Sequence, residues 1–260
     1  HARYLVRRYA RWIIGTLVLL AVLLAIWVTP RGEPPAPPAP PVDVASNVPV
    51  AAGAEQLDPL FAQPPETELH AVTQLLSRWQ VGSEEASVRE ATRCPSTFGS
   101  GLNCLRGRAS LEQIVRFDRP LILLLDKNEV RLHALLLGAG RERVRLDVAG
   151  QTIELPRTAL SEVWNGDFVA VWRVPVNISM NLKRGDAGPA VAWAKDRLNR
   201  LDNAADGESG PAFFDEALEE RVRKLQLAYG IKADGIIGPE TLFALSALGE
   251  SGPHLTRTID

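Results

Sequence analysis

Cysteine is almost missing from this 260-residue chain: Cys94 and Cys104 are its only two. Four histidines accompany them, and no spacing among these residues offers the converging ligands of a tetrahedral metal site. No metal and no cofactor is expected. The phosphate-cradling pattern G-x-x-x-x-G-K-S/T is absent, so ATP hydrolysis cannot be claimed for the chain. Excess positive charge is lacking as well. Lysine and arginine total 29 against 31 acidic residues, for a net charge of −2 and a pI near 6.2, which leaves no broad basic field for nucleic acid. Long apolar runs are also scarce.

The exception is "WIIGTLVLLAVLLAIWV", Trp12–Val28, which contains no charged residue and is just long enough for the roughly 17–25 residues that span a bilayer. It exceeds the usual apolar core of a signal peptide, and "TPRGEPP" after it offers no small-x-small cleavage site. Tryptophans flank the run, where interfacial aromatics sit. Arginines cluster in the preceding "HARYLVRRYARW", so the positive-inside rule puts the N-terminus in the cytoplasm and the bulk of the chain in the periplasm. A basic flank (1–11), a transmembrane helix (12–29) and a single pass through a bacterial inner membrane are expected. The first residue is His rather than Met, as in a piece of a longer chain. Residues 30–65 open with "PRGEPPAPPAPPVDVASNVP", which can form neither ladder nor helix and reads as an extended tether reaching on the order of 100 Å.

From Glu66 the pattern changes. "ETELHAVTQLLSRWQV" sets Leu69, Val72, Leu76 and Trp79 at helical spacing. A cysteine-bearing turn region, a helix over "SLEQIVRF" and a strand over "RPLILLLD" follow. "EVRLHALLLGAG", "RVRLDVAG", "QTIELPRTAL" and "DFVAVWRV" continue as strands. Residues 66–176 are expected to form an α+β domain with helices first and an antiparallel sheet after. In an oxidising compartment Cys94 and Cys104 should form a disulfide closing their Gly/Ser/Pro-rich loop. Residues 179–249 then read as three helices. One apolar face carries Val191, Ala194, Leu198 and Leu201; a second carries Phe214, Leu218, Val222, Leu225 and Tyr229; a third carries Leu242, Leu245 and Leu248. Gly230 reads as a helix cap, Gly235 as a positive-φ position, and Gly238–Pro239 as a helix start. Residues 250–260 read as a tail.

"LKRGDAGPAVAWAKDRLNRL" and "FFDEALEERVRKLQLAYGIKADGIIGPETLFAL" together resemble the three-helix peptidoglycan-binding module. Leu182, Gly185, Asp186, Gly188, Val191, Leu198, Val222, Gln226, Gly230, Asp234, Gly235, Gly238 and Thr241 match its pattern. Leu225 replaces a usual phenylalanine, and Ala194-Lys195 stands where leucine-glutamine is common. The resemblance implies a groove for cell-wall material with Asp186, Gln226, Asp234, Gly235, Gly238 and Thr241 as binding residues.

The middle domain is similar to papain-like peptidases that trim double-glycine leaders. In that layout Cys104, His133 and Asp147 stand for a cysteine, its histidine base and the orienting carboxylate. No glutamine occurs between Gln80 and Cys104 to supply the oxyanion hole, and Cys104 aligns with a second, non-catalytic cysteine. The resemblance therefore implies an inactive peptidase-like domain and no enzyme. An active wall-bound cysteine peptidase is the alternative, and a wall amidase or transpeptidase a weaker one for want of any further catalytic set.

The whole order, with "FDRPLILLL", "ALLLGAG" and "VWNGDFVAVWRVP", resembles the periplasmic part of the general secretion pathway protein A family, the ExeA-like components of type II secretion. The fold expected is a membrane-anchored multidomain chain: an α+β papain-like peptidase-type domain followed by an all-α three-helix peptidoglycan-binding domain. The implied function is to anchor to peptidoglycan and assist secretin assembly. The implied partners are the wall, an inner-membrane protein of the B type, the secretin and further copies of the chain, with no nucleic acid.

Overall fold

A computed structural model describes residues 53–82, 85–98, 101–173, 181–202, 212–248 and 252–259, all within one compact unit, Ala51–Asp260. The expected basic flank, transmembrane helix and most of the proline-rich tether lie outside the described residues. Among the described residues no helix is long and apolar enough to cross a membrane.

Order begins inside the stretch 30–65 expected to be tether. Ala54–Leu57 form a 3-10 turn and Asp58–Ala62 a short helix, α1. Leu57, Leu60 and Phe61 sit at i, i+3 and i+4 and are buried, so this small apolar face draws the segment into the core. Helix α2, Thr67–Arg78, buries Ala71, Val72, Leu75 and Leu76, with Trp79 buried just past its end. Leu69, expected on the same face, is 40% exposed, because the first turn opens onto a cleft beside His133 rather than onto the sheet. Helix α3 covers Glu85–Thr92.

The remaining elements of this domain are β1 Leu102–Arg108, α4 Leu111–Phe117, β2 Leu121–Lys127, β3 Val130–Ala139, β4 Arg143–Val148, β5 Gln151–Pro156, α5 Arg157–Val163 and β6 Asp167–Arg173. The expected order of helices first and sheet after is therefore corrected in two places. Strand β1 precedes α4 and contains Cys104, which was expected in a turn region. The stretch 151–160, expected as strand, divides at Pro156, which has no N–H to extend a ladder and instead opens α5. Helix α4 is set by a reciprocal cap: Gln113 N donates to Ser110 Oγ, and Ser110 N donates to Gln113 Oε1.

The strands form one antiparallel sheet in the order β1-β6-β2-β3-β4-β5. Strand β2 is central, and its run Leu121–Leu125 is wholly buried, as a strand covered on both faces requires. In β4 the alternation is clean: Val144, Leu146 and Val148 point to the core.

Three helices follow: α6 Pro189–Leu201, α7 Glu216–Tyr229 and α8 Pro239–Ala247. Helices α6 and α8 each begin with Gly-Pro, which presets the first-turn backbone where the missing N–H is no loss. Helix α7 starts at Asp215, whose side chain accepts from Leu218 N at 2.8 Å, and ends at Gly230 in the left-handed region. Val191, Ala194, Leu198, Phe214, Leu218, Val222, Leu225, Leu242 and Leu245 are buried as their spacing requires. Leu201, the last residue of α6, is 44% exposed, since the helix stops before turning it inward. An aromatic cluster joins the helices to the sheet domain: the Phe243 ring lies 4.8 Å from Phe117 and 5.4 Å from Trp172, and Tyr229 lies 5.7 Å from Phe117. The segment read as a C-terminal tail packs, with Leu255 and Ile259 buried.

Candidate functional site

The joint between α7 and α8 is organised by one buried amide. Gln226, 1% exposed, directs Nε2 at Asp234 Oδ1 (3.0 Å), Ile236 O (2.9 Å) and Thr241 Oγ1 (3.1 Å). Its Oε1 accepts from Gly235 N at 2.9 Å. Asp234 Oδ1 also accepts from Ile236 N at 3.0 Å, closing a side-chain turn. That backbone bond, with Gln226 and Lys232 nearby, holds the Asp234 carboxyl below the usual carboxylate range. Gly235 has φ +78°, and a Cβ there would lie 2.7 Å from Glu219 Cγ, so any side chain is strained and must displace Glu219. Gly238 lies in extended backbone at the start of α8 and is not demanded by its φ.

Of the six residues implied as wall-binding, the fold thus brings Gln226, Asp234, Gly235 and Thr241 into one hydrogen-bonded knot, with Gly238 beside it. Asp186 stands apart. Its Oδ2 accepts from Lys183 N at 2.8 Å, closing the turn between two short pairings, Leu182 with Ile237 and Ala187 with Phe213. The amide of Gln226 is spent inside the knot, so it shapes the joint rather than offering itself to a ligand. The apolar side chains this module turns outward, one before α7 and one in the joint, were missed from the sequence. Phe213 is 46% and Ile236 37% exposed, each beside a buried neighbour, Phe214 and Ile237. Arg184 bridges Glu216 and Glu219, and Arg223 also pairs with Glu219, on the same surface. The signal lay in the phase of "FF" and "II": of two adjacent apolar residues in extended chain, one must face away from the core.

Of the peptidase layout, His133 and Asp147 fall on the adjacent strands β3 and β4, but Cys104 is not brought to them. Cys104 lies on β1, and the expected disulfide with Cys94 is present. His133 lies on β3, with β6 and β2 between it and β1, a lateral separation of roughly 14 Å at the ordinary strand spacing. The thiolate that such chemistry needs is consumed, and no free cysteine remains. His133 Nδ1 lies 3.5 Å from Thr67 Oγ1, and its Nε2 lies 3.9 Å from Glu68 Oε1. Burial lowers its pKa, favouring the neutral ring. A cleft of about 540 Å³ beside it is walled by Glu66, Glu68, Arg89 and Arg131. Asp147 Oδ1 is engaged by His70 Nε2 at 3.0 Å and by Gly150 N at 2.9 Å, so its carboxylate orients a different histidine. Among the described residues no cluster of His, Cys, Asp and Glu could hold a metal ion.

Comparison with known proteins finds matches to both domains. Residues 55–174 match the family described as "GspA, peptidase C39-like domain", and residues 187–245 match "Putative peptidoglycan binding domain". "General secretion pathway protein A" of Aeromonas hydrophila is 28% identical over 179 residues, 68% of this chain and 32% of that protein. "Putative general secretion pathway protein A" of Escherichia coli K12 is 26% identical over 164 residues, 63% of this chain and 33% of that protein. The chain thus spans about one third of the length of these relatives. A crystal structure of a periplasmic domain of the EpsAB fusion protein of the Vibrio vulnificus type II secretion system matches with TM-score 0.49 and 23% identity, covering 71% of this chain and 79% of that one. A GspA-type peptidase C39-like domain followed by a domain of the peptidoglycan-binding family makes this chain a homologue of general secretion pathway protein A.

Proposed function

We propose that the chain is a non-catalytic periplasmic component of a type II secretion system that grips peptidoglycan through residues 187–245 and helps to assemble or place the secretin. The observation that carries the wall contact is the Gln226–Asp234–Gly235–Thr241 knot, which fixes the α7–α8 joint and turns Ile236 outward in a domain of the peptidoglycan-binding family. The absence of peptidase chemistry rests on the disulfide that removes both thiols and on the three-strand offset of Cys104 from His133. A single-pass inner-membrane location with the N-terminus in the cytoplasm is supported by the arginine-flanked apolar run at 12–28. A partner of the inner-membrane protein B type, the secretin and self-association are proposed from homology to the secretion pathway proteins.

Sedimentation with purified sacculi tests the wall contact. The detergent-solubilised chain should pellet with sacculi, and Asp234→Ala should weaken pelleting with its circular dichroism unchanged. Equal pelleting of the parent and a folded Asp234→Ala/Gln226→Ala variant would remove the joint from the binding site. Hydrolysis of a double-glycine peptide that is lost on Cys104→Ala would replace this function with that of a cysteine peptidase.

A further inference from the structure

Helix α4 and the turn after it present Gln113, Arg116 and Arg119, three residues apart, to the C-terminal ends of both α7 and α8. Gln113 Nε2 donates to Gly230 O at 2.6 Å and Arg116 Nη1 to Ala228 O at 2.9 Å, at the end of α7. Arg119 Nη2 donates to Ser246 O at 2.8 Å, in the last turn of α8. Last-turn carbonyls lack intrahelical donors and carry the negative end of the helix dipole, so cations there are favourable. Arg119 is wholly buried and lies over the Trp79 ring, 5.5 Å from its centroid.

The same arginine holds a third element. Its Nη1 donates to Pro253 O at 2.9 Å, in the segment 252–259. Asp118, next to it, accepts from Arg257 Nη2 at 2.9 Å and lies 2.9 Å from His254 Nδ1. Further along, Thr256 N donates to Leu137 O at 3.0 Å and Ala139 N donates to Thr256 O at 3.0 Å. This pairing lies where β3 runs past the end of its pairing with β2 at Leu136 and Leu121. The segment therefore fills an edge of β3 that would otherwise leave backbone groups unpaired. Leu255 and Ile259 are buried beneath it. A Cβ on Gly138 would come within 2.7 Å of Thr256 O, so the segment lies as close to the sheet as a glycine allows. None of residues 252–259 falls within either matched region, 55–174 or 187–245.

We propose that residues 252–259 are a strap, pinned by Arg119, that locks the three-helix module against the peptidase-like domain so that the two move as one body at a fixed angle. A chain with two families of domain in series ordinarily behaves as two bodies on a linker. Here one buried cation ties the sheet domain, the end of α8 and the strap together, and removing it breaks its bonds to Ser246 O and Pro253 O at once. The wall-facing joint is then held at a set orientation to the sheet. The lock itself does not depend on wall binding and is tested without it.

Spin labels on Leu227→Cys, exposed on α7, and Gln151→Cys, exposed on β5, report the angle through their distance distribution in the full chain. The native disulfide stays closed, so only the added thiols are labelled. The parent should give one narrow peak. Stopping the chain after Glu250 together with Arg119→Met should at least double its width while the far-ultraviolet dichroism is retained. A parent distribution that is already broad, or an unchanged width in the altered chain, overturns the proposal. Should that chain fail to fold, Gly138→Ala reads the same point by pushing the strap off β3. It should widen the peak and speed amide exchange at Thr256 at least tenfold, and no change in either overturns the proposal equally.

Discussion

Replacing Gln226 by leucine keeps the side-chain volume of a buried position but removes every bond that its amide makes in the α7–α8 joint. The N–H of Gly235 loses its buried acceptor, while Asp234, Ile236 O and the Thr241 hydroxyl each keep another contact. A buried donor left unmade costs about 1–3 kcal/mol, and the lost bonds to partly exposed acceptors add less, so the total is about 2–4 kcal/mol. For a unit of this size that lowers Tm by on the order of 10 °C. Gln226→Glu separates hydrogen bonding from packing. The carboxylate still accepts from Gly235 N, but it has no N–H for Asp234, Ile236 O or Thr241, and it sets a second negative charge about 3.0 Å from Asp234 Oδ1. At neutral pH it should be at least as damaging as leucine. As the pH falls and the new carboxyl takes up a proton, one O–H donor returns and the repulsion vanishes, so the deficit relative to the parent should shrink. Urea unfolding followed by circular dichroism at pH 7 and pH 5 measures both effects. A Gln226→Leu chain within about 0.5 kcal/mol of the parent, or a Gln226→Glu chain whose deficit does not change with pH, would refute the role given to this amide.

Gly235→Val should destabilise more than Gly235→Ala, because φ is +78° and the added atoms meet Glu219 and Arg223; thermal unfolding of the two variants checks the order. Mass spectrometry of unreduced, alkylated protein should find no free thiol. Opening the ten-residue separation with Cys94→Ala/Cys104→Ala should cost about 2–3 kcal/mol by urea unfolding. His133 is held neutral by burial, so below its unfolded pKa of about 6.5 the unfolded chain takes up a proton that the folded chain refuses. Stability should therefore fall as pH drops below that value, and His133→Gln should flatten the slope by up to about 1.4 kcal/mol per pH unit. Asp234 has a depressed folded pKa, so its contribution is present above about pH 3.9 and is lost on further acidification; Asp234→Asn should lose that acid dependence in the same titration.

Local physics was enough to read the three helices of the wall module from the sequence. The Gly238–Pro239 start, the Gly230 cap and apolar residues every three or four positions act within a turn or two, and nothing distant overrides them. The positive φ at Gly235 was legible for the same reason. The disulfide followed from having two cysteines and one short loop. Strand β2 could be read from its composition, since five consecutive aliphatics flanked by Pro120 have few alternatives to a covered strand. Only the tertiary structure decided the rest. Cys104, His133 and Asp147 have a peptidase-like order along the chain, yet strand order, which depends on pairings between residues far apart, sets Cys104 three strands from His133 and gives Asp147 to His70. Gln226 matched a binding motif, but whether its amide faces a ligand or its own joint depends on where residues 234–241 fold back. The segment 252–259 has neither periodicity nor a motif. Its order comes from an unfilled edge of β3, from Asp118 and from the buried guanidinium of Arg119, all more than a hundred positions away, and no local pattern can encode partners supplied by another part of the fold.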